Sequence, residues 1–198
     1  VPKWMEGHDL ENVFTIPKNK EVLDTISENL KGLDKVVVIG GGFIGVELSD
    51  ELNKAGKEVK IVEILPHVLN IAFDKEFAEK AENILSDRGV HVLTNSAVKK
   101  INGEEGKVTS VELESGEKVE ADAVILSMGY EPNVQLAKDS GLKITDDGFI
   151  SVDEYMRTQD ESVVAVGDCA EKRHFVTRKR NGVMLASTAC AEGRIAGM

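Results

Sequence analysis

The chain has 198 residues, 41% of them hydrophobic and 30% charged, enough patterned apolar material for one or two small packed domains rather than a disordered tail. Its 24 Lys+Arg against 35 Asp+Glu give a formal net charge of −11, which excludes an extended phosphate-backbone partner, because nucleic-acid binding needs a basic stripe. No apolar run approaches the ~18 to 20 residues of a membrane helix, and no charged-then-apolar leader is visible, so a soluble, cytoplasmic protein is expected.

Residues 1–20 hold two of the four prolines and no sustained periodicity beyond Val13-Phe14-Thr15-Ile16, and are read as a connector. Val22, Leu23, Ile26 and Leu30 then recur at helical spacing, with Gly32 as the stop. Lys35 to Ile39 is a lysine followed by four β-branched residues, the pattern of a strand buried on both faces of a parallel sheet. After a run of glycines, Ile44, Leu48 and Leu52 share a helical face, and Gly56 ends that helix. Val59 to Val62 is the next strand. A further helix is expected on Phe77, Ala81, Ile84 and Leu85, capped by Asp74 and closed by Gly89, before the strand Val90 to Leu93.

From Ala97 the pattern changes to short strands broken at Asn102-Gly103 and Ser115-Gly116, an antiparallel meander of three strands before the strand Ala123 to Leu126. Beyond Pro132 the expected elements are a helix near Val134 to Ser140, a hairpin-like piece at Ile144 to Val152, a strand at Val163 to Val166 and a helix from about Leu185. The fold class is therefore α/β, a Rossmann-like parallel sheet with an inserted meander.

The chemistry concentrates between Asp34 and Glu63. In Gly40-Gly41-Gly42-Phe43-Ile44-Gly45, Gly40 permits the tight turn, Gly42 lets backbone approach a pyrophosphate, and Gly45 permits close helix-to-strand packing. Free amides at the start of the helix near Phe43 meet the phosphates. The motif follows a strand, opens a helix, and is followed 18 positions after Gly45 by Glu63 at the next strand end. A carboxylate there accepts both ribose hydroxyls of NAD and repels the 2′-phosphate of NADP. The bland alternative is a solvated strand-end acid.

His8, His67, His91 and His174 form no metal-ligand spacing, and Cys169 and Cys190 form no CxxC, so no metal site and no redox pair is expected. Arg178-Lys179-Arg180 is read as a solvated loop.

The motifs VVVIGGGFIGVELSDELNKAGKEVKIVE, ADAVILSMGYEPN, TQDESVVAVGDCAE and STACAEGRIAG, in this order, resemble the pyridine nucleotide-disulfide oxidoreductase family of FAD flavoproteins, in its NADH oxidase, NADH peroxidase and coenzyme A-disulfide reductase branch. The resemblance implies NADH as hydride donor and FAD as recipient, passing electrons to oxygen, peroxide, a disulfide or a redox partner. It implies that Phe43, where tyrosine is common, gates the nicotinamide, and that Glu47 reaches the carboxamide. Gly129, with Pro132 and Asn133, matches a second glycine turn near cofactor; Asp168 matches the aspartate that holds the ribitol of FAD. Ala186 to Thr188 match amides facing the flavin, with Ser187 where proline is common. From residue type alone, Phe43 is a packed aromatic and Glu47 an ordinary helix acid.

The resemblance further implies domains at 1–20 (connector), 21–134 (NAD(H)-binding) and 135–198 (the incomplete C-terminal half of an FAD-binding domain). An N-terminal FAD segment and a C-terminal dimerisation domain are expected in the parent, a homo-oligomer. No catalytic residue is assigned, and the chain alone is expected to be inactive. A non-catalytic NAD-binding sensing or structural module is the alternative from another class, and a methyltransferase using S-adenosylmethionine is a third that the meander and the Gly-Asp motif do not fit.

Overall fold

A computed structural model describes residues 5–182 and 184–198. The chain divides into two compact units, Val1–Gly129 and Tyr130–Met198.

The first unit contains, in chain order, β1 (Val13–Thr15), α1 (Lys20–Asn29), β2 (Lys35–Ile39), α2 (Phe43–Lys54), β3 (Glu58–Val62), α3 (Lys75–Asp87), β4 (His91–Leu93), β5 (Val98–Glu104), β6 (Lys107–Leu113), β7 (Lys118–Glu120) and β8 (Ala123–Leu126). Five strands form one sheet in the order β1-β8-β2-β3-β4, and every pairing is parallel. Central β2 explains its own composition. Val36 and Val38 point into a cluster with Ile26 and Leu30 at the C-terminal end of α1 and Leu85 of α3, while Val37 and Ile39 point into one with Ile101, Val108, Val111 and Leu113 of the meander. Helices cover one face and the antiparallel sheet β5-β6-β7 the other, so a polar residue on either side of β2 would be stranded.

Four expectations are corrected within this unit. The segment read as a connector supplies β1, an edge strand in register with Val124, Ile125 and Leu126 of β8. Three residues carry too little periodicity to be read as a strand, and the partner residues lie 111 positions further along the chain. The stripe on α3 is rotated: Phe77 and Ile84 are exposed, and Ala78 and Leu85 are buried, with Ala81 partly so. Both patterns have helical spacing, and the inward face includes Glu82, which the loop before the helix uses. Asp74 holds the N-cap position but makes no side-chain cap. The β5-β6 turn lies at Glu105-Gly106, both at positive φ (51° and 84°), as a two-residue hairpin turn requires. Asn102-Gly103 instead lie inside β5 at a register shift, where a Cβ on Gly103 would sit 2.7 Å from Leu10 Cδ1.

The second unit contains α4 (Gln135–Asp139), a 3₁₀ turn at Gly167–Cys169, β9 (Lys172–Arg173), β10 (Arg180–Asn181) and α5 (Ala186–Ala196). Its core cluster is Val134, Ala137, Ile150, Ala165 and Ala170. The strand expected at Val163 to Val166 is reduced to a single bridge between Val164 and Arg157, and Val164 is 47% exposed. The turn between Thr158 and Val163, closed by Thr158 N–H on the Val163 carbonyl, leaves this segment no long partner to pair with. Charged groups carry much of the remainder. Buried Glu171 accepts from Arg173 and Arg180, and Arg180 also pairs with Asp147. Asp147, then Glu171, hold the Arg180 guanidinium above its ordinary pKa. Among the described residues, no helix is long and apolar enough to cross a membrane.

Candidate dinucleotide site

At the C-terminal end of β2 the chain turns into α2, and the glycines there have distinct surroundings. Gly40 has φ +106°, a conformation side chains disfavour, and a Cβ on it would lie 2.7 Å from the Ser127 carbonyl oxygen. Gly45 is the tightest: a Cβ would sit 1.9 Å from the Gly40 carbonyl oxygen and 2.7 Å from Ser127 Oγ. Gly42 is the reverse. It is exposed, with nothing within 4 Å of where a Cβ would be. It is also the N-cap of α2, which has no side-chain cap. The first-turn amides, Phe43 and Ile44 among them, therefore have no side-chain cap at the positive end of a helix of 12 residues. That is the geometry a pyrophosphate fits: donors, positive potential and no side chain in the way.

Glu63 lies directly beyond β3 and is 8% exposed. One carboxylate oxygen accepts the Gly41 N–H at 2.6 Å, and the other accepts the Leu65 N–H at 2.7 Å. The acid is thus no solvated strand-end group. It ties the glycine turn to the end of β3, and each oxygen keeps a lone pair for a further donor.

Three residues that sequence reasoning did not assign complete the frame. Ser127 donates its hydroxyl to the carbonyls of Ile39 (3.0 Å) and Gly40 (2.9 Å); its place directly after the buried run Ala123 to Leu126 was the available signal. Leu69, at φ +55°, donates its N–H to the Gly41 carbonyl at 2.7 Å. Glu82 accepts the Val68 N–H at 3.0 Å and lies 3.2 Å from His67 Nδ1, anchoring the loop that follows Glu63. Nothing local in the sequence marks these last two contacts.

Phe43 is 48% exposed and meets Phe73 edge-on, so it is not packed against the sheet. Glu47, one turn further along α2, is exposed. Gly129 is exposed at φ +94°, with nothing within 4 Å of where a Cβ would be. These positions belong to the first unit; Asp168 belongs to the second.

In the second unit, Gly167 is buried at φ +78°, 3.4 Å from Ala189 Cβ by its would-be Cβ, so α5 packs against the 3₁₀ turn. Glu192 of α5 accepts the Gly167 N–H at 2.8 Å. Lys172 donates to the carbonyls of Gly167 and Ala170 and lies 3.8 Å from the Glu192 carboxylate. Asp168 is half-buried on this braced turn, and Cys169 Sγ faces the Val166 carbonyl at 3.4 Å. Neither Lys172 nor Glu192 was assigned from sequence. The first turn of α5, Ala186 to Thr188, has no side-chain cap. Among the described residues no group of His, Cys, Asp and Glu side chains is placed to hold a metal ion.

Comparison with known proteins gives the family. Residues 4–193 match the family model for pyridine nucleotide-disulphide oxidoreductases. An NADH oxidase of Enterococcus faecalis is 36% identical over 192 residues, covering 96% of this chain and 42% of that protein. The NAD(P)H coenzyme A polysulfide/persulfide reductase of Pyrococcus horikoshii is 37% identical over 195 residues, covering 98% and 43% respectively. Among solved structures, an NAD-dependent persulfide reductase from A. fulgidus superposes with a TM-score of 0.87 at 39% identity, covering 98% of this chain and 36% of that one. The chain therefore spans less than half the length of these relatives. Because the family model matches nearly the full length, this chain is a member of the pyridine nucleotide-disulphide oxidoreductase family.

Proposed function

We propose that this chain is the NADH-docking portion of an FAD-dependent oxidoreductase that passes electrons to an acceptor such as oxygen, peroxide or a disulfide. The observation that carries the reading is the exposed, unobstructed Gly42 at the uncapped start of α2, beside a carboxylate at the end of the next strand. In this reading the amides of Gly42 to Ile44 hold the pyrophosphate. Glu63 accepts ribose hydroxyls with its remaining lone pairs and disfavours a 2′-phosphate. Phe43 borders the path of the nicotinamide and Glu47 receives its carboxamide. Gly129 leaves backbone open near the cofactor. Asp168 accepts ribitol hydroxyls of FAD, and the Ala186 to Thr188 amides face its ring. When bound, the nicotinamide supplies a hydride and the flavin takes it up.

The domains are read as a nucleotide domain over 21–134, with the lead-in 1–20 adding the edge strand β1, and the C-terminal half of an FAD-binding domain over 135–198. The remaining length of the relatives is assigned to an N-terminal FAD segment and a dimerisation domain of a homo-oligomeric parent. A cytoplasmic setting accords with the free thiols Cys169 and Cys190.

Titrating the chain with NADH and with NADPH tests this reading. NADH is expected to bind at least about ten-fold tighter, a difference of roughly 1.4 kcal/mol. Equal affinity overturns the role of Glu63, and no binding of either at millimolar concentration overturns the docking site itself.

A further inference from the structure

The rings of Phe43 and Phe73 meet edge to face, with centroids 6.0 Å apart and planes at 76°. Phe73 also leans on Phe77 at 6.4 Å, and Lys80 Nζ lies 5.5 Å from the Phe77 centroid. The three rings are 44% to 59% exposed, and none belongs to a core cluster. Packing of the interior therefore does not account for this row. A half-exposed ring on the first turn of a helix has more than one rotamer open to it, and the aromatic neighbour that selects one for Phe43 is Phe73.

Phe73 is itself held. Its N–H and that of Ala72 donate to the Leu69 carbonyl at 3.0 and 2.9 Å, and the Leu69 N–H donates to the Gly41 carbonyl. Val68, next along, is fully buried and bonded to Glu82. The loop is thus fastened to the glycine turn that carries Phe43 two residues later, which fixes one ring relative to the other.

We propose that Phe73 is a positioning residue: it holds the Phe43 ring at the nicotinamide end of the site, and so sets how tightly the nicotinamide half of NADH is retained without acting on the adenosine half. This rests on NADH docking at Gly42 with its nicotinamide passing Phe43. The loop after β3 then serves both ends of the ligand, Glu63 at the ribose and Phe73 at the gate.

The test compares NADH with ADP-ribose, which lacks the nicotinamide, by calorimetry on the parent chain, Phe73→Leu and Phe73→Tyr. Phe73→Leu is expected to weaken NADH about 3- to 10-fold, the size of a lost aromatic pair, and to leave ADP-ribose within about 2-fold. Phe73→Tyr, which keeps the ring, is expected to restore NADH binding. Because Phe73 is half-exposed, both variants should fold, as thermal melts would verify. Equal losses for both ligands would mark Phe73 as a loop-packing residue only and overturn the proposal; so would no change in either, or a gain for NADH alone. A parent chain that binds neither ligand overturns the docking site and this proposal together, whereas a parent that binds both with an unchanged ratio in Phe73→Leu overturns this proposal alone.

Discussion

The backbone at Gly40 to Gly45 stands on strands whose buried residues are all apolar, whereas the backbone at Gly167 to Cys169 is braced by charged side chains. In the first unit, β2, β3 and β8 contribute a continuous buried run whose central residue Val38 lies between Ile61 and Ile125. In the second, five of the described residues form the buried core, and the Gly167 turn is held by Glu192 and Lys172. The difference teaches where each site is vulnerable. A turn resting on a packed sheet fails by steric intrusion, because the interior has no room to yield. A turn held by a largely buried ion pair fails when one partner goes, because the other is left charged and poorly solvated.

The largest expected effect is on the packed side. Gly45→Ala would place a methyl against the Gly40 carbonyl, which is backbone and cannot rotate away. A loss of about 3 kcal/mol in urea unfolding is expected, with NADH binding abolished and amide-exchange protection lost across β2, α2 and β3. An unchanged midpoint would show that α2 can lift off the strand and would break the contrast. Next is Lys172→Met on the ionic side. Glu192 keeps the Gly167 N–H but loses its counter-charge, and the Gly167 and Ala170 carbonyls lose a donor. About 2 kcal/mol is expected, below the full cost of a broken buried pair because Glu192 retains that hydrogen bond. The loss should be read as faster exchange at Gly167 to Lys172 and in α5. The smallest effect sharpens the comparison from inside the packed unit. Glu63→Gln leaves either Gly41 or Leu65 N–H facing an amide nitrogen instead of an oxygen, which should cost about 1 to 2 kcal/mol in unfolding measurements. A stability unchanged from the parent would show that the turn stands on apolar packing alone.

Much of the first unit was legible because its signals are local and redundant. The lysine and four β-branched residues of β2, the glycines and the apolar face of α2 each point to one conformation, and they agree with one another. The misreadings share a cause. β1 is three residues long and is a strand only because β8 lies beside it. The face of α3 is ambiguous by spacing, and Glu82 turned inward to bond the loop rather than outward to water. Val163 to Val166 looks like a buried strand by composition, yet a strand needs a ladder partner, and one bridge to Arg157 is what it has.

The site divides in the same way. The glycine spacing and the acid after β3 could be placed from the chain itself, since each answers a backbone requirement within 24 residues of the first glycine. Leu69, Phe73, Lys172 and Glu192 could not, since each acts on a residue it meets only after folding. The amino-acid order by itself determined the βαβ unit, its glycine turn and its family, because periodicity, turn chemistry and helix-start amides are properties of consecutive residues. Tertiary structure alone decided that Glu63 is a tie as well as an acid, that the Phe43 ring rests on Phe73, and that the Gly-Asp turn is braced by an ion pair. Side-chain partners depend on distances through space, and one-dimensional spacing does not encode them.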